Sequence, residues 1–404
     1  MKTLFVGLLL WTSAAHADGW KLPVVYVEKV EISGNQKTKD SEVRRLSALE
    51  VGDELTPSMV TAARKRILSS PVFEAAEIDV SKGSAADKAV VTIRVKEKFS
   101  WFVVPNFSYS SSGFGGGLAY GETNFLGMLK QILVAGNFSS LNRTAILGFR
   151  DPSVGGTSMV LAIDGIYRWD TMLEYDDGDE TRRMRLTEYG ATVMPGIRWS
   201  PTFTTSLGVA YRRVKQRLIR ETAGARTLDP YAFKRGNDIA ITAQFQFADS
   251  TNVEGQFEGY DLSLEGQISD NRFFSDYEYF KQLLRFKMGH SFWGNRLNFV
   301  NNTSAQFGRT LPYYRELMLG GDNLRGYKSR EFRGDPRYSS SQELMVPLYR
   351  FKRVITRLVF FWDTAVIYFK DDKFSRDAWR NGVGGGIRAY FKGISIPLVG
   401  YDLG

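Results

Sequence analysis

Apolar and polar side chains alternate with a period of two along most of the chain, from about residue 99 to the end. The segments 206–212, 239–247 and 260–269 place mainly Leu, Ile, Val, Phe or Tyr at every second position, with small or polar residues between them. Such segments recur about every 15–25 residues and are separated by polar turns. Because a period of two is typical of a strand with one apolar face, residues 99–404 are predicted to form an antiparallel sheet that must bury that face.

Several of these predicted strands run to ten residues or more and carry aromatic residues near their ends, among them Trp101, Tyr167, Trp169, Trp199 and Trp293. Strands in soluble sandwiches are usually about 5–6 residues long. Long alternating strands flanked by aromatic girdles are typical of an outer-membrane barrel, which is apolar outside and polar inside. The pattern therefore favours an all-β transmembrane barrel, with a soluble sandwich as the alternative.

The alternation reveals about 15 strand candidates. Eleven precede the motif GGDNLRGY at 320–327, and four follow it, at 339–350, 353–369, 380–391 and 394–403. Single-chain bacterial barrels normally have an even number of strands. We therefore predict 16 antiparallel strands, one of which the pattern does not reveal.

Residues 23–98 have a different pattern and are predicted to form a smaller module. An alternating strand, PVVYVEKVEISGNQ, ends at the turn signal Gly34-Asn35, and a helical segment follows. Thr56 and Pro57 begin a second helix, because threonine caps helices and proline suits the first helical position. The segments VFEAAEIDVS and KAVVTIRVKEK are two further strands. The predicted order is β-α-α-β-β, an α+β fold.

The N-terminal stretch MKTLFVGLLLWTSAAHADGW has the features of a secretory signal peptide. Lys2 supplies the positive end, residues 4–11 the apolar core, and 15–17 (Ala-His-Ala) the cleavage site, so residues 1–17 are predicted to be removed. No later stretch reaches the roughly 18 apolar residues that a spanning helix needs. The exported chain is therefore predicted to be a periplasmic protein or an outer-membrane barrel.

Composition restricts the chemistry further. The 404 residues include no Cys and two His, which excludes thiolate, disulfide and Cys-based metal chemistry and leaves little for histidine catalysis. The net charge of +9 permits anionic partners, but Lys and Arg are spread along the chain without a run, which argues against nucleic acid. We expect no enzymatic activity, no cofactor and no metal site.

The order β-α-α-β-β over residues 18–98 resembles a POTRA domain. The landmarks that carry this resemblance are Gly34-Asn35, Gly52, Phe73 and the closing Val95-x-Glu97. POTRA domains are periplasmic modules that bind extended polypeptides by adding a strand to a sheet edge. The resemblance implies unfolded outer-membrane or secreted polypeptides as partners, whereas a generic α+β domain would bind none.

Within the predicted barrel, Leu324-Arg325-Gly326-Tyr327 resembles the [V/I]-R-G-[F/Y] loop tip of the BamA/TamA superfamily, with Leu324 as a departure. Members of this superfamily join POTRA domains to a 16-stranded barrel of the bacterial surface antigen type. The resemblance implies that the long sixth extracellular loop folds back into the lumen and that its arginine docks on acidic residues of the next two strands. The alternative is an ordinary surface loop.

Two carboxylates are the predicted lumen partners of Arg325. Glu343 lies in SQELMVPL and Asp363 in RLVFFWDTAVIYF, and the alternation of these strands turns both side chains away from the apolar face. A guanidinium group inside a narrow lumen requires a carboxylate, and the bidentate fork makes that pairing geometrically specific. The superfamily usually has F-x-D-x-G on the second strand, and here Ala365 replaces the glycine.

Two further landmarks and one departure concern the barrel strands. GETNFLG at 121–127 resembles the E-x-N-x-x-G hairpin of the superfamily, and GVGGGIRAY at 382–390 resembles its glycine-rich strand near the C-terminus. Members usually end in Phe, whereas this chain ends in YDLG. In the superfamily the last strand pairs with the first at a weak lateral seam, and the first strand here is at about 99–109. We therefore expect the geometry of this seam to differ from that of other members.

The resemblance implies an outer-membrane assembly factor or insertase, which accepts unfolded polypeptide through its POTRA domain and inserts it at the lateral seam. The single predicted POTRA domain points to an accessory or specialised member. The alternative is a dedicated secretion pore of the two-partner type, and a passive porin or an enzyme is a third possibility. The lipid bilayer is an expected partner, and periplasmic chaperones or accessory lipoproteins are further candidates, with the POTRA domain in the periplasm.

Overall fold

The computed structural model describes residues 24–110, 113–176, 178–223, 225–228, 233–294, 296–321, 323–369, 378–391 and 397–404. The predicted signal peptide at 1–17 lies outside the described residues. The chain divides into two compact units, Met1–Lys98 and Phe99–Gly404. Within the described ranges, no helix combines the length and the apolar composition needed to cross a membrane.

The first unit has the predicted order β-α-α-β-β. Its elements are strand β1 (Tyr26–Ser33), helices α1 (Asp40–Ser47) and α2 (Pro57–Ser69), and strands β2 (Phe73–Lys82) and β3 (Lys88–Glu97). The three strands form one sheet in the order β1-β3-β2. β3 runs parallel to β1 and antiparallel to β2, and α2 packs on β2. The predicted α+β fold of this unit is confirmed.

Three landmarks of the first unit meet where β1 ends. Gly34 has a φ of +86°, and a Cβ there would lie 2.0 Å from the carbonyl oxygen of Val95, so the position requires glycine. The backbone N–H groups of Lys37 and Thr38 donate to the carboxylate of Glu97 at 3.0 and 2.8 Å. Gly34, Val95 and Glu97 therefore fasten the turn after β1 to the end of β3.

Helix α2 begins where its sequence predicts. The hydroxyl oxygen of Thr56 accepts a hydrogen bond from the backbone N–H of Met59 at 3.3 Å, and Pro57 is the first helical residue. The inner face of the helix buries Ala63 and Ile67 completely. Capping and apolar spacing are both local signals, which explains why the sequence alone locates this helix.

Fifteen strands of the second unit form one antiparallel sheet in which each strand is hydrogen-bonded to the next. They are β4 (Trp101–Ser110), β5 (Gly113–Phe125), β6 (Lys130–Ser139), β7 (Asn142–Asp151), β8 (Met159–Asp176), β9 (Asp179–Arg198), β10 (Phe203–Glu221), β11 (Gly236–Val253), β12 (Gln256–Ser269), β13 (Tyr279–Phe292), β14 (Leu297–Arg309), β17 (Pro336–Phe351), β18 (Val354–Ile367), β19 (Trp379–Phe391) and β20 (Pro397–Leu403). A short hairpin of β15 (Leu317–Leu319) and β16 (Phe332–Gly334) lies in the loop between β14 and β17.

The predicted division of eleven strands before this loop and four after it is confirmed. The described residues supply 15 of the 16 predicted strands. β20 has only seven residues and begins at Pro397, which has no N–H to donate to a ladder. β20 comes within 8 Å of β4, yet no ladder joins these two strands within the described part of the chain. The barrel is therefore nearly closed, and its seam lies between β4 and β20.

The two faces of the large sheet differ in chemistry. On β10, Leu207, Val209 and Tyr211 point outward and are 62%, 51% and 44% exposed. Arg212 points inward, where its Nε donates to Glu188 of β9 at 3.0 Å. The interior is therefore polar and the outer wall apolar, which is the arrangement that a lipid environment requires.

The turn between β5 and β6 explains the GETNFLG landmark. The carboxylate of Glu122 accepts a hydrogen bond from the backbone N–H of Asn124 at 2.7 Å. The side-chain oxygen of Asn124 in turn accepts from the backbone N–H of Leu129 at 3.0 Å. Both side chains are buried, so this pair stabilises a tight turn.

The loop at 310–335 folds back into the barrel interior. Tyr313 and Tyr314 are 2% and 3% exposed. The hydroxyl group of Tyr313 donates to Glu174 of β8 at 2.9 Å, and that of Tyr314 donates to Asp238 of β11. These carboxylates lie on the inner wall, so the loop crosses the lumen instead of extending away from it.

Candidate functional site

The guanidinium group of Arg325, at the tip of this loop, is bound by three strands of the inner wall. Its Nε and Nη2 donate to the two carboxylate oxygens of Asp363 on β18, at 2.8 and 2.6 Å, in a bidentate fork. Its Nη1 donates to Glu343 on β17 at 2.7 Å and to Asp402 on β20 at 2.9 Å. Nη2 also donates to the hydroxyl oxygen of Ser341 at 2.8 Å. Every guanidinium nitrogen of Arg325 is therefore used.

A second arginine completes the cluster. Arg388 on β19 donates to both carboxylate oxygens of Glu343, at 2.8 and 2.7 Å, and to Asp402 at 2.8 Å. Two guanidinium groups thus face three carboxylates, and the side chains of Arg325 and Asp363 are only 14% and 2% exposed. Charged groups this far from water are stable only when they are paired, so each member depends on the others. We call Arg325, Arg388, Glu343, Asp363 and Asp402 the loop clamp.

Burial alone would lower the pKa of Arg325. Its hydrogen bonds to Asp363 and the negative charges of Glu343 and Asp363 outweigh burial, so the pKa is raised above the ordinary value. Arg325 therefore stays charged at any physiological pH.

The loop tip lies directly on the barrel wall because glycine residues of β19 leave space for it there. A Cβ at Gly382 of β19 would lie 2.1 Å from the carbonyl oxygen of Arg325. The ring of Phe361 lies under the guanidinium group, with 3.5 Å between Cζ of Arg325 and the ring centroid. A Cβ at Gly384 would approach that same ring to 2.5 Å. The glycine-rich strand thus makes room for both the loop backbone and the ring that supports the arginine.

The other residues of the tip motif have separate contacts. Leu324 is fully buried in an apolar cluster with Leu317, Leu319, Ala365 and Ile367. The two departures from the superfamily pattern, Leu324 and Ala365, therefore pack in the same cluster.

Gly326 and Tyr327 complete the motif. Gly326 has a φ of +94°, which favours glycine. The hydroxyl group of Tyr327 donates to the backbone oxygen of Asn381 at 3.3 Å, and its ring packs edge-to-face on Phe332. The motif thus combines a charged anchor, an apolar anchor and a turn.

Further ion pairs hold the flanks of the loop to the wall and to neighbouring loop residues. They are Arg315 with Asp238 at 3.0 Å, Arg330 with Asp170 at 2.6 Å and Arg226 with Glu316 at 2.9 Å. The loop is consequently attached at several points around the lumen, and the clamp is the attachment next to the seam.

Sequence reasoning named Arg325, Glu343 and Asp363, and the structure brings these three together. It missed Asp402 and Arg388. A signal for both existed, because Tyr401 and Ile387 are outward-facing apolar residues and their neighbours must therefore point inward. The sequence alone marks GVGGGIRAY only as a family landmark and YDLG only as a departure from the family.

Comparison with known families gives two matches. The Omp85 superfamily domain matches residues 124–390. A POTRA family described as a surface antigen variable number repeat matches residues 25–98.

Three curated proteins are similar in sequence. The outer membrane protein assembly factor BamA of Nitratidesulfovibrio vulgaris is 21% identical over 322 residues, which are 76% of this chain and 38% of that protein. BamA of Neorickettsia risticii is 28% identical over 143 residues, 35% of this chain and 19% of that protein. A putative outer membrane protein assembly factor of Treponema pallidum is 26% identical over 145 residues, 34% of this chain and 17% of that protein. The chain thus spans between 17% and 38% of the length of these relatives.

Solved structures share the fold. BamA from Haemophilus ducreyi lacking POTRA domains 1–3 has a TM-score of 0.60 and 18% identity, covering 90% of this chain and 78% of that one. CdiB from Acinetobacter baumannii has a TM-score of 0.63 and 12% identity, covering 91% of this chain and 68% of that one. CdiB from Escherichia coli has a TM-score of 0.57 and 14% identity, covering 95% of this chain and 87% of that one. The likeness to BamA and to CdiB structures is about equal.

Proposed function

Because the chain belongs to the Omp85 superfamily, whose domain matches about two thirds of it, we propose that it is an assembly factor of the bacterial outer membrane. It accepts unfolded polypeptide through its POTRA domain in the periplasm and inserts it into the bilayer at the seam between β4 and β20. The names of the curated relatives support this role. The proposal requires no catalytic residue, cofactor or metal. Periplasmic chaperones or accessory lipoproteins are candidate partners besides the polypeptide and the lipid bilayer.

The unpaired seam is the observation that carries this proposal. Within the described residues, β4 and β20 are the two ends of the fifteen-stranded sheet, and no ladder joins them. A strand edge in lipid leaves N–H and C=O groups without partners, at a cost of several kcal/mol per group. An incoming strand can satisfy these groups by pairing with the edge, and this templating needs no energy source other than the pairing itself.

The loop clamp is linked directly to this seam. Asp402 belongs to β20 and accepts hydrogen bonds from both Arg325 and Arg388, at 2.9 and 2.8 Å. A Cβ at Gly404, just beyond the strand, would lie 3.0 Å from the backbone nitrogen of Gly326. The position of the loop tip therefore influences the position of the last strand. We infer that Arg325 is a positioning residue that holds β20 in place for templating.

A dedicated secretion pore is the second candidate, because the fold is about as similar to CdiB as to BamA. The two roles place different demands on the loop. A polypeptide crossing the lumen must displace the loop at 310–335, whereas a strand inserting at the seam can leave it in place. The buried contacts of Tyr313 and Leu324 would have to break in a pore.

Quantitative proteomics of the outer membrane after depletion tests the proposal. Cells are complemented with the wild type, with Arg325→Ala, or with Arg272→Ala as a control, in which an arginine that is 78% exposed loses its pairing with Asp270. We expect many unrelated barrels to decrease on depletion and only Arg325→Ala to fail in rescue. Constant barrel levels together with the loss of one secreted protein would establish the secretion pore instead.

A further inference from the structure

The outer wall of the barrel carries a group of cations that the proposed function does not use. They lie on β7, β9 and β10, and we call them the basic patch: Arg143, Arg185, Arg213, Lys215 and Arg217. All are exposed except Arg213, which is half-buried. Arg185 pairs with Arg217 across the β9–β10 ladder, and no described carboxylate forms an ion pair with any of the five. Clustered like charges without counterions are unfavourable unless a ligand neutralises them.

The basic patch lies at the edge of the apolar wall. The outer face of β9 changes from Val193 to Tyr189 to Arg185, and that of β10 from Val209 to Tyr211 to Lys215. On β8, the outward-facing apolar stretch runs from Met159 to Tyr167, eight positions later. At about 3.3 Å per residue and a tilt of about 40°, this stretch spans about 20 Å of an apolar band about 25 Å tall. The cations therefore lie where lipid headgroups begin.

Two of the cations are held on one aromatic ring. The guanidinium carbons of Arg143 and Arg185 lie 5.2 and 5.0 Å from the ring centroid of Trp169. Arg143 is opposite Trp169 in the β7–β8 ladder, and Arg185 lies on the next strand. The cation–π contacts with the indole hold both guanidinium groups, and no described residue accepts a hydrogen bond from the side chain of either, which leaves their N–H donors available to an anion.

An apolar groove of about 540 Å³ in the outer wall has Arg143 among its lining residues. Its lining includes the apolar side chains of Phe107, Leu118, Phe138 and Tyr167 and two glycines, Gly116 and Gly136. A Cβ at Gly136 would meet nothing closer than 4.0 Å, so the groove is open at that point. An apolar groove on a lipid-facing wall suits an acyl chain, and Arg143 in its lining would then lie beside the headgroup of that lipid.

We propose that this wall binds a phosphate-bearing anionic lipid, with one acyl chain in the groove and the phosphate between Arg143 and Arg185. Arg213, Lys215 and Arg217 extend the positive surface for the rest of the headgroup. Phosphate suits this site because a guanidinium group binds it in a bidentate manner, and a basic surface at headgroup level attracts anionic lipid. The site requires only that the barrel lies in a membrane, so it does not depend on the assembly role.

Native mass spectrometry of the full chain in dodecyl maltoside tests this site. Phosphatidylglycerol and phosphatidylcholine with identical acyl chains are added in turn. We expect the wild type to retain phosphatidylglycerol about tenfold more than phosphatidylcholine. Arg143→Gln/Arg185→Gln should lose this preference. Gly136→Leu, which fills the groove, should reduce retention of both lipids.

The matched control is Lys65→Gln/Lys82→Gln, which removes two exposed charges from the first unit and should change nothing. The double arginine variant is informative only if it keeps the heat-modifiable mobility of a folded barrel. If it does not, the single variants Arg185→Gln and Lys215→Gln are measured instead, and each should lose part of the preference for phosphatidylglycerol. Equal retention of both lipids by the wild type, or an unchanged preference in the arginine variants, would overturn the proposal. So would full displacement by millimolar inorganic phosphate together with unaltered binding by Gly136→Leu, since the ligand would then be a free anion. Retention is measured without any substrate polypeptide, so its failure leaves the assembly role untouched.

Discussion

The two units of the chain are stabilised in opposite ways. The first unit has an apolar interior, in which Val43, Leu49, Ile67 and Ile93 are fully buried. The barrel places its apolar side chains on the outer wall and fills its lumen with ion pairs such as that of Arg325 with Asp363. In an apolar core each side chain contributes through the area it removes from water, so one loss stays local. In a charge network one loss leaves several partners unpaired, so its effect spreads.

The largest effect should come from Arg325→Ala, because it leaves Asp363, Glu343 and Asp402 with one fewer cation. Stranding a fully buried charge costs on the order of 3–5 kcal/mol, and less in a wet lumen. We expect the loop to leave the wall, which trypsin would detect as faster cleavage after Lys328 in the folded full chain.

The spread of this effect can be measured in a double-mutant cycle. Arg325→Ala/Asp363→Ala should destabilise the loop by less than the sum of the two single changes, because the charge left unpaired by one is removed by the other. Additive effects, or wild-type cleavage rates in Arg325→Ala, would show that the clamp is not a coupled network.

The first unit should respond locally to Ile93→Ala. The side chain is fully buried, and its truncation should lower the free energy of unfolding by about 3 kcal/mol. Protection of this unit from proteolysis at increasing urea concentration measures the change, while the heat-modifiable mobility of the barrel should stay constant. Val80→Ala on the same sheet is the control, because Val80 is 49% exposed. A simultaneous change in the barrel would contradict the local character of the core.

Glycine substitutions on β19 separate packing from charge within the barrel. Gly382→Ala places a Cβ 2.1 Å from the carbonyl oxygen of Arg325, and the loop backbone must move, at a cost of about 1–3 kcal/mol. Gly385→Ala on the same strand places its Cβ 3.4 Å from the nearest atom, an ordinary contact, and should be nearly neutral. Trypsin cleavage after Lys328 should rise in the first variant only. Equal rates in both would mean that the tip does not rest on this strand.

The sequence predicted those features that depend on short-range rules. Alternation assigned Glu343 and Asp363 to the inner face, and capping signals located α2, because both follow from neighbouring residues. Which inward carboxylate meets which arginine depends on strand stagger and on the path of the loop, so Asp402 and Arg388 were not assigned. The need for glycine at 382 also escaped prediction, because the atom that it avoids belongs to a residue 57 positions earlier.

The smallest effect should come from Thr56→Ala, which removes the side-chain cap of α2 and should lower the free energy of unfolding of the first unit by about 1 kcal/mol. Thr61→Ala is the control, because Thr61 is exposed in the interior of the same helix and alanine favours helix there. Urea-dependent proteolysis should shift for the first variant and stay equal or improve slightly for the second. If Thr56→Ala lowered the free energy of unfolding as much as Ile93→Ala does, the start of the helix would be coupled to the whole core. The first unit would then be stabilised collectively, as the barrel is, and the contrast between the two units would not hold.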